Sequence, residues 1–280
     1  AHHCHAALLM DGAGSTTPFR VGLIGRGAIG RTVIEALDAG AVPGAELVGV
    51  VASGRHSEDA WIDSRLCPLP NLIERSDLIV EAAGQGAVAE HGPAVVGHGT
   101  DLLVLSVGAL VDDDLRARLR SGPGRMRVCT GAVGGLEIIR AAAIGGALRG
   151  VRMTSSKLPS TLVQGWMDPV LVGRLQAAEE LIEVGRGSPL QVARAFPKSA
   201  NIAAAVGIAA GAFDRVEVVM VADPAATRTR HVIEVDSDCG DYRFDLIHDT
   251  SPNNPATSAI VPLAVLRSIR DLAGSGDGLI

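Results

Sequence analysis

The sequence predicts an α/β fold of two domains, and three observations carry that prediction. A short apolar run, Val21 to Ile24, leads into Gly25-x-Gly27-x-x-Gly30 and then into a segment with helical periodicity through Val33, Ile34 and Leu37. Further apolar runs, Leu47 to Val51, Leu78 to Gly84, Leu102 to Val107 and Arg127 to Thr130, follow at intervals long enough to hold helices. From about Gly150 the pattern changes to strands with one solvated face: Val151 to Ser156, Val216 to Val221, His231 to Val235 and Tyr242 to His248. The first half therefore reads as a Rossmann dinucleotide-binding domain on a parallel sheet. The second reads as an α+β domain built on a mostly antiparallel sheet.

Composition sets the bounds. A chain of 280 residues is long enough for two modest domains with a substantial core. Hydrophobic residues make up 47% of it and aromatics only 2%, so the core is expected to be aliphatic, with close backbone contacts at glycine. The net charge of −6 comes without any Lys/Arg cluster interleaved with aromatics, and no nucleic-acid partner is expected. The most apolar stretch, Ile202 to Phe213, is too short to span a bilayer, so no membrane role is expected either. Cys4, Cys67, Cys129 and Cys239 lack Cys-x-x-Cys spacing, which argues against structural zinc and disulfides and fits a reducing cytoplasm. Residues 1–17, with His2, His3 and His5 beside Cys4, read as a disordered leader rather than a metal clip, and no metal is expected.

The dinucleotide-binding domain is placed at 18–135. In its turn Gly25 permits the tight bend, Gly27 lets a pyrophosphate approach the backbone, and Gly30 lets the helix pack on the strand. Ala28 and Ile29 open that helix, whose N–H groups face the anion. The end of the second strand reads the adenosine ribose. It runs Val51-Ala52-Ser53-Gly54-Arg55-His56 with no carboxylate before Glu58, so Ser53 and Arg55 are candidates to hold a 2′-phosphate and NADP is expected to be accepted beside NAD. Ligands bind beyond the carboxyl ends of parallel strands, which points to Ala83, Gly84, Gln85, Ser106, Val107 and Gly108 as the cleft lining. Val88 to Val96 and Asp112 to Leu119 read as helices. Gly131 to Gly135 offers small residues for close approach to a flat ring.

The second domain is placed at 136–255. It holds a short helix at Gln191 to Phe196 and a longer one at Asn201 to Phe213. A final helix, from Thr257 to Leu272 within 256–280, is expected to return to the first domain.

Three stretches of this half, Phe196-Pro197-Lys198-Ser199-Ala200-Asn201, Val221-Ala222-Asp223-Pro224 with His231 beyond it, and Ser251-Pro252-Asn253-Asn254-Pro255-Ala256-Thr257-Ser258, resemble the L-aspartate dehydrogenase family in order and spacing. The resemblance extends over nearly the whole chain from Phe19. It implies an enzyme that oxidises L-aspartate with NAD or NADP to iminoaspartate, which hydrolyses to oxaloacetate and ammonia or enters pyridine nucleotide biosynthesis. It also implies that His231 is the catalytic histidine, that Ala132 and Asn201 contact cofactor, and that the protein is a homodimer.

The residues support parts of this on their own. Imidazole titrates near neutrality and suits proton transfer, and only His231 and His248 begin or end strands of the second domain. The Asn201 carboxamide offers a donor and an acceptor, for a ligand or for capping its helix. Two substrate carboxylates need cations or N–H donors, and Lys157, Lys198 and Arg230 are the candidates. The chain departs from the family pattern at Thr229, where Asn is common, at Ala256, where Lys is common, and around Ser199, Asp241 and His248 to Asp249. Those departures are compatible with hydride transfer and bear on the substrate, so one alternative is a related amino-acid dehydrogenase or imine reductase with another substrate; a separate alternative is a non-catalytic NAD(P)-binding regulator.

Overall fold

The computed structural model describes residues 17–52, 60–251 and 254–274. The expected leader up to residue 16, the candidates Ser53 and Arg55, and the side chains of Lys198 and Ala256 lie outside the described residues.

The first sheet has five parallel strands in the order β2-β1-β3-β4-β5: β1 (Phe19–Ile24), β2 (Ala45–Val51), β3 (Leu78–Glu81), β4 (Asp101–Val104) and β5 (Met126–Val128). β3 is central and buried at every position, as expected for a strand covered on both faces. The order reverses between β1 and β3, so the loops leaving those strands diverge there and open a crevice. The first helix (Ala28–Asp38) buries Gly30, Val33, Ile34 and Leu37, the stripe its periodicity predicts.

The second sheet is mixed, in the order β10-β9-β6-β8-β7: β6 (Leu148–Lys157), β7 (Ile182–Gly187), β8 (Val216–Ala222), β9 (Thr229–Ser237) and β10 (Gly240–His248). Only β6 and β8 pair in parallel, so the mostly antiparallel expectation holds. One face packs on the helices Leu136–Ile144, Pro189–Ala195 and Ala200–Ala209. The other carries ion pairs across strands, among them Arg152–Glu217, Arg243–Glu234 and Arg230–Asp245. The final helix (Val261–Leu272) packs on the first helix, with Val265 and Ile269 in the same cluster as Val33 and Ile34.

Some elements differ from the sequence reading. The expected strand Leu102 to Val107 stops at Val104, and Val107–Val111 is a 3-10 turn, because side chains from two other elements hold the backbone N–H groups of Ser106 and Gly108. The alanine-rich helix ends at Ala209 rather than Phe213, since Gly211 has φ +73° and terminates it. Asn254–Ser258 is a short strand paired with Thr250–Ser251, so the last helix starts at Val261 rather than Thr257. β7 and the helix Leu136–Ile144 escaped the sequence reading. No helix among the described residues is long and apolar enough to cross a membrane.

Candidate active site

A cavity of about 460 Å³ runs from the glycine turn of the first sheet to the adjoining ends of β6, β9 and β10. Its lining includes Gly27, Ala28, Ile29, Ala83, Gly84 and Val107 on the first-sheet side. Ser106, Ala132, Asn201, Lys157 and His231 are further predicted residues found there.

The glycine turn has the shape of an anion cradle. Gly25 has φ +105°, and a Cβ there would sit 2.6 Å from the Ala82 carbonyl oxygen, so only glycine fits. A Cβ on Gly30 would lie 2.3 Å from the Gly25 oxygen, which sets the close seat of the helix against the turn. At Gly27 a Cβ would meet nothing within 4 Å: the space beside it is open to a ligand. The first helix has no side-chain cap, so its leading N–H groups are left for an anion. Gly84, φ +134°, likewise borders open space. These features fit a dinucleotide. Gly25, Gly30 and Gly108, all predicted cofactor residues, shape the site from behind and do not line the cavity.

One carboxylate organises the next two loops. Glu81, the last residue of β3, is fully buried. Its Oε1 accepts from the N–H groups of Ala83 (2.9 Å) and Gly84 (2.7 Å) and from Ser106 Oγ (2.9 Å), and its Oε2 accepts from Ser106 N–H (2.9 Å). A buried charge is tolerated only when so paired. The loops beyond β3 and β4 are thus tied to each other at the cofactor end of the cavity. No role for Glu81 follows from motif reading; the available signal was one charge inside the apolar run Leu78-Ile79-Val80-Glu81-Ala82.

Asn201 does not cap its helix, whose N-cap position is Ser199. Its Oδ1 accepts from Gly108 N–H at 2.9 Å, joining the alanine-rich helix to the turn after β4 and leaving its NH₂ group for a ligand. Gln85 makes a second tie between the halves through the Pro197 carbonyl, at 3.2 Å.

At the far end, strand register decides what meets. β9 and β6 pair His231 with Ser155, so both point to the helix-covered face, and Lys157 follows two residues on. His231 is 4% exposed, and its Nδ1 is 2.8 Å from Ser155 Oγ, which leaves Nε2 for the cavity. Burial pushes its pKa down to about 3, helped by the positive charge of Lys157 and by His248, so the imidazole is neutral at physiological pH. Burial also lowers Lys157, whose Nζ donates to Ser199 Oγ at 2.8 Å.

Arg230 is a correction to the sequence reading. As the neighbour of His231 on a strand it points to the opposite face, where its Nε donates to Asp245 Oδ1 at 2.8 Å. It is not in the cavity.

Two family models match the chain. Residues 137–272 match a family model described as aspartate dehydrogenase, C-terminal, and residues 25–123 match one described as homoserine dehydrogenase, NAD binding domain. L-aspartate dehydrogenase 2 of Bordetella bronchiseptica is 34% identical over 258 residues, which is 90% of this chain and 96% of the relative. L-aspartate dehydrogenase of Pseudomonas aeruginosa is 33% identical over 262 residues, 88% of this chain and 95% of the relative. The crystal structure of aspartate dehydrogenase from Thermotoga maritima shares the fold, with a TM-score of 0.69 at 23% identity, over 94% of this chain and 98% of that one.

Proposed function

The chain belongs to the L-aspartate dehydrogenase family, and from that premise we propose that it is an NAD(P)-dependent oxidoreductase acting on the CH–NH₂ group of L-aspartate. The observation that carries this reading is the single cavity joining the glycine turn to His231. L-Aspartate and NAD(P)⁺ give iminoaspartate, NAD(P)H and a proton; water then converts iminoaspartate to oxaloacetate and ammonia. The reverse is a reductive amination.

Bound nicotinamide supplies the two-electron redox chemistry, taking hydride from the substrate α-carbon. Everything else falls to the chain. Gly27, Ala28 and Ile29 receive the pyrophosphate, while the loops tied by Glu81 and the Ala132 turn wall the ring. Holding substrate and cofactor in one enclosed space removes much of the entropic barrier.

His231, neutral and fixed through Nδ1, presents Nε2 as the atom that accepts a proton from water adding to the imine. Burial, then Lys157 and His248, keep its proton affinity low; a bound dicarboxylate brings negative charge and raises it. Lys157 supplies a cation for one carboxylate. Lys198 remains a second candidate from the sequence.

The same reading places the enzyme in the cytoplasm as a homodimer, with iminoaspartate feeding pyridine nucleotide biosynthesis. Supporting the location, Cys67, Cys129 and Cys239 are all free thiols.

The test is oxidation of NADPH and NADH with oxaloacetate plus ammonia, in the parent and in His231→Ala. Turnover that falls by about 10²- to 10⁴-fold in the variant, with cofactor affinity retained, is the expected result. A parent that binds cofactor and turns over nothing with these substrates defeats the reading.

A further inference from the structure

The substrate end of the cavity holds a second histidine with no assigned task. β9 and β10 pair His248 with Thr229 and Leu246 with His231, so His248 shares the inner face with the catalytic imidazole. The ring centroids are 5.6 Å apart and the planes are tilted by 49°. Each neighbour is held by a hydroxyl: His231 by Ser155, Lys157 by Ser199. His248 is not. Its Nε2 is the only buried side-chain nitrogen or oxygen among the described residues that lacks a hydrogen-bond partner.

A buried ring nitrogen left in this state is disfavoured unless something entering the cavity completes it. The charge inventory says what that is. Among the described lining residues, the groups able to carry positive charge are Lys157, His231 and His248. A dicarboxylate needs two such partners, and His231 is reserved for proton transfer. We propose that His248 recognises the second carboxylate of the substrate, its Nε2–H donating to that group as an imidazolium while Lys157 holds the other. This rests on the aspartate reading above and names the residue that selects a dicarboxylic substrate in this chain.

The proposal requires His248 to gain a proton when the substrate arrives. Burial keeps it below the ordinary imidazole range. Of the titratable groups around it, His231 on the shared face is neutral and Lys157 is the cation on that face, so neither favours its protonation. Asp249, the next residue and also at the cavity wall, is held by Arg228 at 3.3 Å. An incoming carboxylate tips this balance, so binding takes up a proton and weakens as pH rises.

Two measurements on the full chain test it. The first is the KM for oxaloacetate at saturating ammonia and NADPH, from roughly pH 6 to pH 9. In the parent KM should climb with pH. In His248→Gln it should be raised about 10- to 100-fold at the acid end and lose that climb, the loss falling on KM rather than kcat. His248→Lys should restore a low KM. The second is calorimetric titration of succinate into the NADP complex in two buffers of different ionisation enthalpy. Proton uptake in the parent that vanishes in His248→Gln supports the assignment.

Parent turnover of oxaloacetate with KM and its pH dependence unmoved in His248→Gln overturns the inference, as does a loss confined to kcat. A parent inactive with oxaloacetate that still binds succinate with His248-dependent proton uptake overturns the activity reading and upholds the assignment of His248. Succinate binding without such uptake overturns the assignment whatever the turnover.

Discussion

Replacing Glu81 by Gln should remove about 3 kcal/mol of stability and weaken cofactor binding by about tenfold. The carboxylate accepts four hydrogen bonds from three residues in a fully buried site. The amide keeps one oxygen. Placed where Oε1 stands, that oxygen retains Ala83, Gly84 and the Ser106 hydroxyl, each bond losing its charge assistance at about 0.5 kcal/mol. The new NH₂ group then faces the Ser106 N–H, donor against donor, and orphaning that buried group costs about 2 kcal/mol. Easier burial of an uncharged side chain offsets a small part. The assay is urea unfolding followed by circular dichroism, with Tm as a second readout. For a chain of this size about 3 kcal/mol corresponds to a Tm lower by roughly 6–12 °C. Cofactor affinity is read by titration, because both loops tied by Glu81 line the cavity. A midpoint within about 0.5 kcal/mol of the parent at unchanged m value would refute the idea that this carboxylate holds the loops.

Three further outcomes are expected. Gly27→Val should leave stability within about 0.5 kcal/mol, since φ is −68° and a Cβ there meets nothing within 4 Å, yet titration should find no cofactor binding; Gly30→Ala, with its Cβ 2.3 Å from the Gly25 oxygen, should instead lower stability by about 1–3 kcal/mol. Arg230→Ala should change KM by less than about twofold and stability by less than about 1 kcal/mol, because its ion pair with Asp245 is on the solvent face. His231 is buried neutral with a pKa of about 3, so between that value and the unfolded one near 6.5 the unfolded chain binds the extra proton and stability falls as pH falls. Urea midpoints should therefore show the parent losing about 2 kcal/mol relative to His231→Asn on going from pH 7 to pH 5, and parallel acid limbs would count against a neutral buried ring.

Much of the architecture is written locally and was legible without coordinates. Hydrophobic period separates the buried parallel strands of the first half from the one-sided strands of the second, because period follows from which faces water reaches. The glycine turn is equally local: its demands, a positive φ at Gly25 and an absent Cβ at Gly27 and Gly30, are met within a few residues of chain.

What the sequence could not determine is which side chains meet across long separations. Glu81 and Ser106 are 25 residues apart, Gly108 and Asn201 are 93 apart, and Ser155 and His231 are 76 apart. Those meetings depend on strand order and register, which no local pattern encodes. Register alone sends His231 and His248 into the cavity and turns Arg230 out to Asp245, although Arg230 and His231 are adjacent in the chain. Successive side chains on a strand take opposite faces, so composition names the candidates and only the packed sheet chooses among them.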